Sequence, residues 1–185
     1  MKPVYLQIAR NAIAERILEK EILDREALIA ENPELGQEGA TFVTLTLHGA
    51  LRGCIGSLVA HRRLIDDIID NARSAAFRDP RFMPLTLVEF DEMQVEVSLL
   101  TSPQILKYST AADLKAKVQP GVDGVVLSSA GRRATFLPQV WEDLPNFEAF
   151  FSHLCQKAGL RGNCLEEHPQ IELYRVEKIK EGDDV

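Results

Sequence analysis

The stretch TFVTLTLHGALRGCIG, Thr41 to Gly56, decides the fold class. Its first half alternates: Val43, Leu45 and Leu47 fall on one face, Thr44 and Thr46 on the other, the pattern of a half-buried strand. His48-Gly49 then separates two strand-like runs, as a two-residue hairpin turn would. The second run, Ala50 to Gly56, is the returning strand, so the pairing is antiparallel.

That returning strand, LRGCIG, is unusual. An ordinary core strand has little use for two glycines, and an ordinary surface loop has little use for Leu51 and Ile55. Side chains alternate across a strand, so Leu51, Gly53 and Ile55 are expected on one face, and Arg52 and Cys54 on the other beside Gly56. A cation near a thiol raises its thiolate fraction, and glycine leaves room for a backbone or a ligand to come close. One reading is therefore a small site: Cys54 as a reactive or ligand-contacting thiol, Arg52 as an anion clamp, Gly53 and Gly56 as space. The other is structural. A free cysteine behaves as a small hydrophobe, Gly53 marks a bulge, Gly56 ends the strand, and Arg52 pairs with an acidic neighbour.

The flanking sequence extends the same architecture. Pro3 opens an amphipathic helix with Leu6, Ala9, Ile13 and Ile17 on its apolar stripe. Glu19 to Gly39 reads as a broken helix and a connecting loop. A helix from Leu64 carries Ile65, Ile68, Ile69, Ala72, Ala75 and Ala76 inward, with Asp66, Asp67, Asp70 and Arg73 largely opposite, and stops before Pro80. FRDPRFMPL is an ordered loop, and Thr86-x-x-Glu89 a capping box. Met93 to Thr101 alternates again, with Val95, Val97 and Leu99 inward. A helix after Ser109 or Thr110 ends before Pro120. A hairpin turns at Ala130-Gly131, and Asn146 caps a helix bearing Phe147, Phe150, Phe151, Leu154 and Ala158 that stops at Gly159. Ile171 to Val176 reads as a last strand and EGDDV as a disordered tail. Hairpin-linked strands with separate helices define an α+β chain, read as one domain over residues 1–185.

Composition narrows the function classes. The 185 residues carry a net charge of −7 and 6% aromatics, which argues against general nucleic-acid binding. Arg62-Arg63 and Arg132-Arg133 read as solvated surface arginines. No apolar run approaches the roughly 20 residues of a membrane span. Cys54, Cys155 and Cys164 are an odd number at wide spacing, with no C-x-x-C pair, and His48, His61, His153 and His168 are scattered. The sequence therefore suggests no metal site and fits a reduced, cytoplasmic setting, with Cys155 in the core. In DPRF, Asp79 and Arg81 either line a polar cleft or bind each other across a tight turn. His61 and Asp79 are the candidate bases for Cys54.

GATFVTLTLHGALRGCIGSL, AAFRDPRFMPLT, VEVSLLTSP, FLPQVW and LCQKAGL together resemble the AMMECR family (AMME chromosomal region gene one domain), whose bacterial and archaeal members are also called AmmeMemoRadiSam system protein A. The likeness spans nearly the whole chain. It implies a larger lobe with an antiparallel sheet flanked by helices, a smaller lobe, and a cleft between them. It marks Leu51–Gly56 as a hallmark suspected of function. It brings no established activity and no cofactor, but it implies Memo-like and radical S-adenosylmethionine proteins as partners. Two departures are local: RGNCLEEHPQ lacks the expected tryptophan, and His61-Arg62-Arg63 replaces a small residue or proline. The expected site is Arg52, Gly53, Cys54, Gly56, Asp79 and Arg81 as ligand-binding residues, with Cys54 and Arg52 as catalytic candidates. The expected role is an accessory, ligand- or substrate-binding component, with a Cys54 enzyme as the alternative.

Overall fold

Strand β1 (Glu38–Leu47) lies between β2 (Ala50–Gly56) and β4 (Met93–Leu100) in an antiparallel sheet that β9 (Val176–Lys180) completes, in the order β2-β1-β4-β9, with β3 (Arg62–Arg63) paired to the start of β1. This is a computed structural model that describes residues 3–182. The chain divides into two compact units, a larger one of residues 1–100 and 177–185 and a smaller one of residues 101–176. Both pair their strands antiparallel and carry helices, so the fold class is α+β.

In the larger unit, the β1–β2 turn falls at His48-Gly49. Both residues have positive φ (50° and 81°), the backbone a two-residue hairpin demands. The inner ladders are Ile55–Val43–Val97 and Gly53–Leu45–Val95. They are covered by α1 (Pro3–Leu18) and α3 (Leu64–Phe77), whose Ile8, Ile13, Ile65 and Ile68 are wholly buried. The buried face of α1 centres on Tyr5, Ile8, Ala9, Ala12 and Ile13, whereas the expected stripe members Leu6 and Ile17 are only partly buried. After α1 the acidic segment forms the short helix α2 (Arg25–Glu31) and a single 3₁₀ turn. Helix α4 (Leu87–Glu92) begins with the expected capping box at Thr86 and Glu89.

The smaller unit has the sheet order β5-β8-β6-β7, from β5 (Gln104–Leu106), β6 (Gly124–Ser129), β7 (Arg132–Phe136) and β8 (Gln170–Tyr174). Helices α5 (Ala111–Lys117), α6 (Val140–Asp143) and α7 (Phe147–Lys157) pack on it. Trp141 stacks on Phe150 at 3.6 Å and donates its indole N–H to the Asp123 carbonyl.

Three sequence expectations are corrected. The strand at Ile171 is not the last, because β9 (Val176–Lys180) follows it in the larger sheet. Glu181 of the expected disordered tail is anchored: its carboxylate accepts two hydrogen bonds from Arg10 at 2.7 Å and one from the Val95 N–H. Asp183–Val185 of that tail lie outside the described residues. Cys155 is in the core, but it is not free. It forms a disulfide with Cys164, leaving Cys54 as the free thiol. Titration with a thiol reagent in denaturant without reductant should therefore count one thiol per chain. Reduction should cost about 2–3 kcal/mol of stability, the chain-entropy value for so short a loop.

Candidate functional site

Gly53 faces inward between β2 and α3. A Cβ there would stand 2.1 Å from the Ala75 carbonyl oxygen, which is helix backbone and cannot yield. The facing helix surface is Ala72, Ala75 and Ala76, all buried. Small residues on both sides thus let helix and strand backbones nearly touch. The approach brings the end of α3 beside β2, and the loop leaving α3 crosses the outer edge of that strand.

An edge strand leaves main-chain groups without partners. At Cys54 the loop supplies them. Asp79 Oδ2 accepts the Cys54 N–H at 3.0 Å, and Arg81 Nη2 donates to the Cys54 carbonyl at 3.4 Å. Arg81 also binds both oxygens of Asp79, at 2.7 and 3.0 Å. Asp79 is buried, and the Arg81 guanidinium with these N–H donors holds its carboxyl far below the usual carboxylate range. DPRF therefore forms the tight turn with an internal ion pair, and it also caps LRGCIG.

Arg52 completes the interlock. The β1–β2 register shifts between Leu45 and Thr46, pairing Leu45 with Gly53 and Thr46 with Leu51, so Arg52 is the extra residue of a bulge. The shift turns Leu51 away from the face of Gly53 and Ile55 expected for it, and Leu51 is 44% exposed. The Arg52 guanidinium is buried. It grips Glu89 at 2.8 and 3.0 Å, donates to the Met83 carbonyl at 2.8 Å, and lies 5.6 Å from the centre of the Phe82 ring, which Arg81 approaches at 5.5 Å. Its Nη1 is enclosed without a hydrogen-bond partner. The hydrogen bonds from Arg52, then from the Thr86 cap, bring the Glu89 pKa down to about 2.

Cys54 itself points to the outer face, in the ladder Cys54–Thr44–Glu96. Its thiol is half-buried and lies 3.3 Å from the Thr44 hydroxyl. Gly56 is overlaid by the Phe42 ring, which a Cβ would enter at 2.2 Å. Cys54, Asp79 and Arg81 are thus brought together. Arg52 is directed to Glu89, and His61 is an exposed residue bonded to the Val59 carbonyl. Among the described residues no group of three His, Cys, Asp or Glu is arranged to hold a metal.

A second polar cluster adjoins the motif, and the sequence reading assigned its centre to the wrong face. Asp67 is fully buried. It accepts from Thr41 N and Oγ1, from Ser57 Oγ at 2.6 Å, from Arg62 Nε at 2.8 Å and from Asn71 Nδ2 at 3.0 Å. The signal was spacing: Leu64, Asp67, Ile68, Asn71 and Ala75 recur at three- and four-residue steps, on the edge of the buried stripe. Arg62, read as a solvated arginine, is held by Asp67 and Asp70.

This α+β architecture is shared with known proteins. The AMMECR1 family pattern matches residues 6–179. A protein of Methanothermobacter thermautotrophicus is 38% identical over 93% of this chain and 88% of its own length. Protein MJ0810 of Methanocaldococcus jannaschii is 36% identical over 89% of this chain and 83% of its own. The crystal structure of the uncharacterized protein PH0010 from Pyrococcus horikoshii superimposes with a TM-score of 0.75 at 33% identity, covering 97% of this chain and 90% of that one. The chain belongs to the AMMECR1 family.

The depressed Glu89 pKa gives a pH signature. A carboxylate whose folded pKa lies below its ordinary 4.5 stabilises the fold above that pH and loses the contribution as pH falls toward about 2. Denaturant melts of Glu89→Gln should be less stable than wild type at neutral pH, and the difference should shrink through that window.

Proposed function

We propose that the chain is an accessory component that binds a small ligand or a substrate group over Cys54 and works beside Memo-like and radical S-adenosylmethionine proteins. One observation carries the reading: Cys54 is fixed through its main chain by Asp79 and Arg81, while its thiol stays half-exposed beside a hydroxyl. The arrangement holds a recognition surface still. Arg81, with 53% of its side chain exposed, offers that surface the guanidinium donors that Asp79 and the Cys54 carbonyl leave over. Gly53 and Gly56 contribute through close packing, against Ala75 and Phe42.

The alternative, catalysis by Cys54 with Arg52 as anion clamp, has less support. Cysteine catalysis needs a positioned base and a free stabilising cation. Asp79 is turned to the Cys54 main chain and to Arg81, and the Arg52 guanidinium is engaged by Glu89. We place this role in the cytoplasm. No described helix is long and apolar enough to cross a membrane, and burial of Cys155 and Cys164 shields their disulfide from reductants.

The reading predicts that the purified chain binds a Memo-like or a radical S-adenosylmethionine protein, measured by calorimetry. Arg81→Glu should weaken that binding, and Cys54→Ser should keep it. Trapping a covalent Cys54 intermediate by mass spectrometry during turnover of the mixture would instead support the enzyme reading. No association with either protein would remove the accessory role.

A further inference from the structure

The smaller unit has a polar concavity of about 310 Å³, lined in part by Thr101, Lys117, Gln119, Asp123, Leu173 and Arg175. We propose that it binds a small zwitterion of the α-amino-acid class, with Asp123 receiving the ammonium group and Arg175 and Lys117 the carboxylate. The site is separate from the Cys54 surface and stands or falls independently of the role proposed for it.

The argument begins with Asp123. It is the buried charged side chain of this unit among the described residues, 4% exposed. A buried carboxylate costs free energy unless donors meet its oxygens. Oδ2 accepts the Gln119 N–H at 2.8 Å. Oδ1 has only a distant cation, Arg175 Nε at 3.4 Å, well beyond the roughly 2.7–2.9 Å of a charge-assisted hydrogen bond. Asp79 shows the contrast, with its arginine at 2.7 Å. Oδ1 of Asp123, a residue that lines the concavity, therefore keeps accepting capacity.

The cations are more exposed. The Arg175 side chain is 60% exposed and the Lys117 side chain 44%. Arg175 Nη2 makes one 3.3 Å bond to Gln119 Oε1, leaving guanidinium donors over. Lys117 Nζ binds the Lys107 carbonyl and Asp113, two of its three donor positions. The Thr101 hydroxyl accepts the Arg175 N–H, which leaves its own proton for an acceptor. The lining thus sets exposed cationic donors beside one buried carboxylate. That polarity fits a molecule with an anion at one end and a donor at the other. The volume is at the low end of ligand pockets, about 300–1,000 Å³, which suits a small molecule.

The test is calorimetry on the full chain with single α-amino acids. Any that binds is compared with its des-amino acid, its decarboxylated amine and inorganic phosphate. The expected result is saturable binding of at least one amino acid, weakened by about tenfold or more in both truncated analogues. Asp123→Asn should weaken the amino acid and leave the des-amino acid unchanged, and Arg175→Gln should weaken both. Should Asp123→Asn fail to fold, Lys117→Gln, at an exposed position, must weaken the carboxylate-bearing probes and spare the amine. No binding by any amino acid overturns the proposal. So does equal binding of phosphate or the des-amino acid, because a general anion site needs no buried carboxylate.

Discussion

The near-contact of two backbones, Gly53 in β2 and Ala75 in α3, is the constraint on which the motif region depends. With a Cβ at position 53 the helix could not lie where it does. Because it lies there, the chain emerging from Phe77 is already beside the sheet edge, and two residues later Asp79 reaches the Cys54 N–H. The hydrogen bond from Leu85 N–H to the Ala76 carbonyl holds the far end of the same loop against the helix. LRGCIG and DPRF are therefore two halves of one device, and neither has its geometry without the other.

The device separates positioning from presentation. Arg52 and Asp79 are buried and paired, Arg52 with Glu89 and the Met83 carbonyl, Asp79 with Arg81 and the Cys54 N–H, which is how a charged group is kept inside a fold. Cys54 and Arg81 leave a thiol and a guanidinium partly open on a strand whose edge has been capped. Capping also removes a route to edge-to-edge aggregation. The Asp67 cluster extends this rigidity past Gly56, since Ser57 is bound both to Asp67 and, through its N–H, to the Thr41 carbonyl.

Much of the fold was legible because its signals are local. Alternation marked β1 and β4, positive-φ turns fell at His48-Gly49 and Ala130-Gly131, and Thr86 and Asn146 capped helices as their chemistry requires. Strand β9 was missed because VEKIK offers little alternation and is assigned by its partner β4. The tail looked disordered because the anchor of Glu181 is Arg10, 171 residues away. The disulfide was invisible because nine residues of separation give no pairing rule. Around the motif, Cys54, Asp79 and Arg81 lie together, but the sequence did not name the partners each would find. Nothing local tells whether Arg52 faces a ligand or Glu89, and a one-residue bulge was enough to move Leu51 to the other side.

The most direct test of this account is hydrogen exchange at the Cys54 amide, followed by NMR in wild type and in Asp79→Ala. An edge-strand N–H exchanges slowly only if something outside the sheet holds it. The account predicts strong protection at Cys54 in wild type and its selective loss in the variant, with Val43 and Leu45 in the sheet interior unchanged. Equal protection of Cys54 in both proteins would contradict it, because the edge would then be closed by something other than the DPRF loop.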